Sequence, residues 1–393
     1  MNNLREIMAL ATRPGVLSFA IGLPAAELFP REELAGVAAR VLRTEPSALQ
    51  YGLPLQPLKA QIVEMMAWRG VRCTEEQIFL TSGSQQGMDL LSRLLLPQGG
   101  QVLFDEAVYD GIRLATRLQQ PEILTVASDP ATGMDVDAVE ALLAGGARPA
   151  FLYAIPDGHN PLGVSLSREK RHRLAALARR YRMPILEDDA YGFLYYGEEP
   201  APPLRALEEE WVYYLGSFSK ILAPGLRVGW VVVPPPVAAR LSPLKHGADI
   251  DTPSLSHWVV SAYLESGSLP AHLTTLREEY RRRRDTMLAA LREHFPSGVR
   301  WSHPGSGMFV WAELPPGLDA VDLLRAAVET ERVAFSPGAI FYGGALQGAR
   351  YMRLNFTSLP PERIEEGLRR LGRAIRALQE KPGAELASPP RLS

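Results

Sequence analysis

The sequence predicts an α/β protein: a mostly parallel sheet sandwiched by helices, followed by a smaller α+β unit. Three observations carry this. Between about residues 55 and 240, short continuous apolar runs alternate with amphipathic stretches of helical period. Strands covered by helices on both faces read that way. The chain has 393 residues, enough for about two domains with large cores. The polar residues of the alternating region gather where its strands end, and sites on open parallel sheets form there.

Taken in order, residues 17–20 are a short extended piece, turned by 21–24, and 31–44 are an amphipathic helix. The alternation then gives helix 58–69, strand 78–81, helix 84–96, strand 101–104, helix 111–118, strand 123–126 and helix 136–143. It continues with strand 151–155, the Arg-rich amphipathic helix 167–181, and strands 184–187, 212–215 and 228–233. Residues 255–290 read as one helical stretch. The smaller unit offers strands 308–313, 333–335 and 351–356 with helices 320–330 and 361–378. The expected domains are therefore an N-terminal segment and part of the small domain (1–40), a large domain (41–275) and a C-terminal small domain (276–380). The Pro/Ala/Ser-rich end, 381–393, is expected to fray.

Composition narrows the function classes. Hydrophobic residues at 46% and charged residues at 22% are ordinary for a globular protein. A net charge of −2 gives no electrostatic case for nucleic acid or an anionic membrane. The basic run Arg281-Arg282-Arg283-Arg284 is short and flanked by Glu278, Glu279 and Asp285, as on a solvated helix face. The one cysteine, Cys73, excludes an internal disulfide and a multi-cysteine metal site. There is no secretory leader pattern and no run of eighteen apolar residues, so a cytoplasmic location is expected.

The most informative segment is Ser217-Phe218-Ser219-Lys220, followed by Arg227. An apolar strand end delivers two hydroxyls, an amine and a guanidinium. That set suits an aldehyde cofactor with a phosphate: the amine forms a Schiff base, and the others hold the anion. Only five of the 42 basic residues are lysine. A lysine kept amid so many arginines invites a chemical reason, because arginine stays protonated and forms no imine.

Other strand ends add to the set. Thr81-Ser82-Gly83-Ser84-Gln85-Gln86-Gly87 opens a helix with glycine and hydroxyls, which is either a plain capped helix or a phosphate seat. Pro156 to Gly163 forms a rigid turn presenting Asn160. Glu187-Asp188-Asp189-Ala190-Tyr191 supplies three adjacent acids and a tyrosine. No His stands at ligand spacing, so metal binding is not expected. A carboxylate paired with a pyridinium nitrogen fits better, since it keeps the ring an electron sink. A serine-hydrolase reading of the Ser-x-x-Lys pattern fails, because no Lys-Thr-Gly and no Ser-Asp-Asn follows.

Several motifs stand together in one order: Gly22-Leu23-Pro24 with Leu28-Phe29-Pro30, Gln50-Tyr51-Gly52, Ser82-Gly83-Ser84-Gln85-Gln86, Asn160-Pro161, Glu187-Asp188-Asp189-Ala190-Tyr191, Ser217-Phe218-Ser219-Lys220, Gly305-Ser306-Gly307-Met308-Phe309-Val310-Trp311 and Arg353-Leu354-Asn355-Phe356. With them the chain, from about residue 4 to 378, resembles the fold-type I, pyridoxal-phosphate-dependent aminotransferases of class I/II. It is most similar to their 2-aminoadipate and kynurenine aminotransferase branch.

The resemblance implies that Lys220 carries the cofactor and shuttles the proton between Cα and C4′. It implies that Asp188 binds the ring nitrogen, Asn160 and Tyr191 the phenolic oxygen, and that Tyr109 stacks on the ring. Ser84, Gln85, Ser217, Ser219 and Arg227 would hold the phosphate, and Tyr51 would reach the phosphate of a partner subunit in a homodimer with shared sites. Gly22, Asn160 and Arg353 would bind substrate, with Arg353 forked onto the α-carboxylate. Arg5, in an N-terminal lid, is a candidate for a distal carboxylate; a surface ion pair with Glu6 or Glu27 is the other reading. The amino donor would be 2-aminoadipate, glutamate, or an aromatic or branched-chain amino acid, and the acceptor 2-oxoglutarate, in a ping-pong cycle. Two departures stand out: Leu162 where the family usually has Thr, and Ser306 where a double glycine is commoner. A lyase or synthase on the same cofactor, or a non-enzymatic aminotransferase-like sensor, are the alternatives.

Overall fold

The computed structural model describes residues 9–10, 13–52, 55–250, 252–343 and 347–380. Arg5 and the 381–393 end lie outside the described residues. The chain forms two compact units. The larger is Gly22–Arg281 with Ser302–Val310; the smaller is Met1–Ile21, Arg282–Trp301 and Trp311–Ser393. The larger unit thus starts at Gly22 rather than at residue 41. The reason is packing: Val41 and Ala48 are buried against Ala262 and Trp258, which holds helix Arg31–Thr44 in that unit.

The larger unit is built on a seven-stranded sheet: β1 (Ile78–Thr81), β2 (Gln101–Asp105), β3 (Glu122–Val126), β4 (Leu152–Ala154), β5 (Ile185–Asp188), β6 (Val212–Ser217) and β7 (Gly229–Val232). Their order is β1-β7-β6-β5-β4-β2-β3. β7 is antiparallel to both its neighbours, and the pairings from β6 through to β3 are parallel. Strands β5, β6 and β7 are buried at every residue, as expected of continuous apolar runs under two layers of helix. On one side Leu103, Leu152, Ile185 and Val212 form a core with Val139, Leu174 and Leu177 of the covering helices. Asp135 and Ser167 cap those helices by accepting from the amides of Ala138 and Lys170.

Most expected elements appear within a residue or two. The 255–290 stretch is not continuous: it divides into Ser254–Glu265 and Leu269–His294. Gly267 takes a left-handed φ of +73°, and the Ser266 hydroxyl turns back to the Tyr263 carbonyl. A helix at Pro235–Asp249 was not read from the sequence. It begins on prolines, which suit a first turn whose N–H groups need no helical partner, yet it also carries Pro243 inside.

A four-stranded sheet, in the smaller unit except for Phe309 and Val310, has the order Arg300–Trp301, Phe309–Glu313, Tyr351–Asn355, Ser336–Pro337. Leu17–Ser18 pairs in parallel with Val333–Ala334. Among the described residues, no helix is long and apolar enough to cross a membrane, and no cluster of His, Cys, Asp and Glu could hold a metal ion.

Candidate active site

Strand register gathers the polar groups. Gly229 of β7 pairs with Thr81 on one side and Ser217 on the other. Leu215, two residues before Ser217, pairs with Asp188. The Ser82-Gly83-Ser84 turn, the Ser217–Lys220 segment and Asp188 therefore emerge side by side from the carboxyl ends of three strands.

The anion seat is formed by close backbone approach. Gly83 has a φ of +76° just ahead of helix Ser84–Leu95, and a Cβ there would collide with the Arg227 guanidinium. A Cβ on Gly229 would lie 2.7 Å from the Gly83 carbonyl carbon. Only glycine at both positions lets Arg227 lie across the start of the helix, with its unpaired amides and favourable dipole. Arg227 itself is left-handed at φ +53°. Its Nη2 donates to the Ser82 carbonyl at 3.0 Å, and its Nη1 to Ser219 Oγ at 3.4 Å. Ser217 Oγ accepts the Ser219 amide at 3.1 Å. Two hydroxyls, a guanidinium and a helix start thus converge in one seat.

Lys220 Nζ donates to the Gly22 carbonyl at 2.8 Å. Gly22 is held close by Phe309, whose Cζ would be 2.9 Å from an added Cβ, and Phe309 packs edge-on to Tyr191. Tyr109 precedes the helix Asp110–Thr116, and Gly111 makes room for its ring. Gln85 Nε2 donates to the Gly111 carbonyl at 2.8 Å, so this side chain braces the Tyr109 turn.

Three consecutive acids end β5, and each has a different environment. Glu187 is fully buried and accepts the amides of Leu204 and Arg205; burial pushes it up to about 8. Asp189 accepts from Arg69 at 3.3 Å and from the Tyr214 hydroxyl at 2.8 Å. Asp188 is 4% exposed, and its Oδ2 accepts from Tyr153 at 2.6 Å. Its Oδ1 is buried and accepts no well-aligned hydrogen bond from the described residues. Burial, with Asp189 adding to it, raises Asp188 to about 6, against the pull of Tyr153, of the Lys220 ammonium and of the nearby Ala190 amide. An orphaned acceptor beside an amine and an anion seat fits a pyridinium N–H. The residues present therefore match pyridoxal phosphate at its three recognisable points: aldehyde, ring nitrogen and phosphate.

Asn160 is buried in a turn secured by several bonds. The His159 amide donates to the Val164 carbonyl, and the Gly163 amide to the His159 carbonyl. His159 Nδ1 accepts from the Leu162 amide and Nε2 faces Asp105 Oδ2 at 3.2 Å, so the neutral tautomer with its proton on Nε2 satisfies both. Leu162 is itself buried, so the family's hydroxyl is replaced by packing. Ser306 bonds Ser165 at 2.9 Å, and Ser165 accepts the Gly158 amide; the second departure thus braces the same turn.

Tyr51 is 80% exposed, on the wall of a cleft of about 410 Å³ lined also by Ser47, His257 and Trp258. Arg353 belongs to the smaller unit. There its Nη2 donates to the Ala20 carbonyl at 2.7 Å, and its guanidinium lies over the Phe341 ring.

Sequence reasoning missed the layer behind the site. Arg69 spans Asp157 and Asp189, and Arg171 holds Asp157 at 2.6 Å while also donating to the Leu166 and Pro156 carbonyls. These arginines read as surface helix positions, and only the fold shows them buried. Tyr153 was read only as part of an apolar strand.

A seven-stranded α/β sheet whose strand ends present this lysine, carboxylate and anion seat defines a pyridoxal-phosphate enzyme of the aminotransferase fold. The chain matches the family of class I and II aminotransferases over residues 38–371, and it belongs to that family. It is 44% identical to the 2-aminoadipate transaminase of Thermus thermophilus over 96% of this chain and 94% of that protein. It is 38% identical to aromatic-amino-acid aminotransferase 1 of Thermococcus litoralis, over 97% and 93%. The crystal structure of LysN, the α-aminoadipate aminotransferase of Thermus thermophilus, complexed with N-(5′-phosphopyridoxyl)-L-leucine, superposes with a TM-score of 0.88 at 43% identity, covering 96% of this chain and 95% of that one. The protein is an aminotransferase, and pyridoxal phosphate is its cofactor.

Proposed function

We propose that this aminotransferase takes its amino group from 2-aminoadipate or from an aromatic or branched-chain amino acid and passes it to 2-oxoglutarate in a ping-pong cycle, as a cytoplasmic homodimer. The amine of Lys220 beside the orphaned oxygen of Asp188 is the observation that carries the reading. The relatives favour these donors: one is named for 2-aminoadipate, one for aromatic amino acids, and one was crystallised with a leucine adduct.

The cofactor supplies an electron sink that stabilises negative charge at the substrate Cα. Lys220 would hold the cofactor through its amine and, once released, would be the group placed to move a proton at the substrate Cα. Asp188 holds the ring nitrogen protonated. Asn160 and Tyr191 bond the phenolic oxygen, and Tyr109 covers the ring. Ser84, Ser217, Ser219 and Arg227 seat the phosphate. Gln85, whose side-chain amide braces Gly111, takes part through its backbone N–H. Gly22 and Asn160 bound the substrate, and the guanidinium of Arg353, pre-set by the Ala20 carbonyl and the Phe341 ring, forks onto its α-carboxylate.

Following cofactor absorbance with single amino acids in half-reactions tests the donor. Turnover of 2-aminoadipate, leucine or phenylalanine is the expected result; reaction with none of them would overturn the donor assignment. In the same screen Arg5→Ala is expected to lower kcat/KM for dicarboxylic donors by about 10²-fold and to leave leucine unchanged, as for a lost charge-assisted bond. Equal losses for both kinds of donor would make Arg5 a structural residue.

The exposure of Tyr51 supports the shared dimer site, because a phenol reaching a partner's phosphate must leave its own fold. Tyr51→Phe is expected to weaken cofactor retention about tenfold, the scale of one hydrogen bond to an anion. Sedimentation at working concentration provides the check on assembly, and a fully active monomer would refute it.

A further inference from the structure

The carboxylate assigned to the ring nitrogen is not aligned by its own strand alone. Leu186 pairs with Tyr153 in the parallel register of β4 and β5. Side chains two apart share a face of a sheet, so Leu186, Asp188 and Tyr153 lie on the same face. The Tyr153 phenol reaches along that face to Asp188 Oδ2 at 2.6 Å. Its ring is 1% exposed and packs edge-on against Phe104 at 6.2 Å, an arrangement that leaves the hydroxyl little freedom. With Oδ2 so engaged, Oδ1 is the oxygen left buried without a well-aligned donor among the described residues.

We propose that Tyr153 is a positioning residue for the cofactor: its hydroxyl fixes the Asp188 carboxylate with Oδ1 toward the ring nitrogen and favours the arrangement in which the shared proton sits on nitrogen rather than on Asp188. The inference rests on Asp188 being the nitrogen's partner. It follows from chemistry that a donor to a carboxylate stabilises the anion. Without that donor the proton moves toward Asp188, and the ring loses positive charge. Burial, then Asp188 itself, holds the Tyr153 hydroxyl well above its ordinary range, so it stays a donor throughout the working pH range. The charged or titratable groups around the pair are Asp189, Lys220, Tyr109 and Tyr191.

The test uses the holoenzyme and reads two quantities other than turnover. One is the dissociation constant of pyridoxal phosphate; the other is the pH midpoint of the visible absorbance change of the bound cofactor. Tyr153→Phe keeps the ring that packs on Phe104. It is expected to weaken cofactor binding about tenfold, the scale of a lost bond to a charged group. It is also expected to raise the midpoint by about one pH unit, because a less positive ring repels the proton on the neighbouring Lys220 nitrogen less. Tyr214→Phe removes an equally buried hydroxyl from the adjacent Asp189, at 2.8 Å, and is expected to leave the midpoint in place. A midpoint unmoved by Tyr153→Phe overturns the proposal, as does an equal shift in Tyr214→Phe. If Asp188→Asn also leaves the midpoint unmoved, it is the assignment of Asp188 that fails. Should Tyr153→Phe not fold, 3-fluorotyrosine at 153, nearly isosteric and a stronger donor, is expected to lower the midpoint; no change then overturns the proposal.

Discussion

Lys220→Ala is expected to abolish transamination, with kcat falling by about 10⁴-fold or more. On the proposed role the change would remove both the covalent hold on the cofactor and the amine placed to move a proton at Cα, and proton transfer by one positioned group contributes up to about 10⁴-fold by itself. Among the described residues the other lysines are engaged elsewhere. Lys59 donates to the Glu75 carbonyl, Lys170 to the Gly133 carbonyl, and Lys245 pairs with Asp249. Borohydride reduction of the wild-type holoenzyme followed by peptide mapping is expected to label Lys220. Label on Lys245 or Lys59 would sink the assignment.

The second large effect is expected at Asp188. Asp188→Asn preserves shape but removes the charge proposed to hold the pyridinium proton, so kcat should drop on the order of 10²-fold or more, as when one preorganised electrostatic partner is lost. Near-normal turnover would instead point to Asp189 or to no such pair. The same substitution is expected to stabilise the cofactor-free protein at neutral pH. Burial raises Asp188 to about 6, so the folded state binds this proton more tightly than the unfolded chain does. Its contribution to stability is full below about pH 4 and is lost as pH rises through about 6. Asparagine carries no such burden, and the gain should be about 3 kcal/mol at pH 8, measured by denaturant unfolding without cofactor. Below pH 4 the two proteins should unfold alike.

Much of this site was legible in the sequence because each of its parts closes an apolar run. Ser84, Asp188, Ser217 and Lys220 all sit where a strand ends, and an abrupt change from apolar to polar marks such places. Strand register then does the gathering, and register is a property of pairing that a linear reading lacks. That is why Tyr153 passed as a core residue: its partner Asp188 is 35 residues away, and only the offset between two parallel strands brings them together. Arg69 and Arg171 were hidden for a different reason. Arginine on an amphipathic helix reads as solvated, and burial beside Asp157 is compensated by long-range pairing invisible to periodicity. The break at Gly267 lost out to strong helical period on both sides, although a glycine between two serines was a local sign of it. Gln85 stood in a legible motif, but the bond of its side chain to the Gly111 carbonyl, 26 residues on, did not show in the sequence.

The floor of the anion seat restricts how this enzyme could diverge. At Gly229 any side chain would be driven into the main chain of Gly83 and Ser84, and at Gly83 even alanine would have to adopt a left-handed backbone while displacing Arg227. Neither position can drift by small steps, because the first step already separates the strands that meet there. New amino-acid preferences would therefore have to arise from residues away from this floor, with the two glycines inherited unchanged. A saturation-mutagenesis library selected for activity would show this as two nearly invariant glycines beneath a permissive rim.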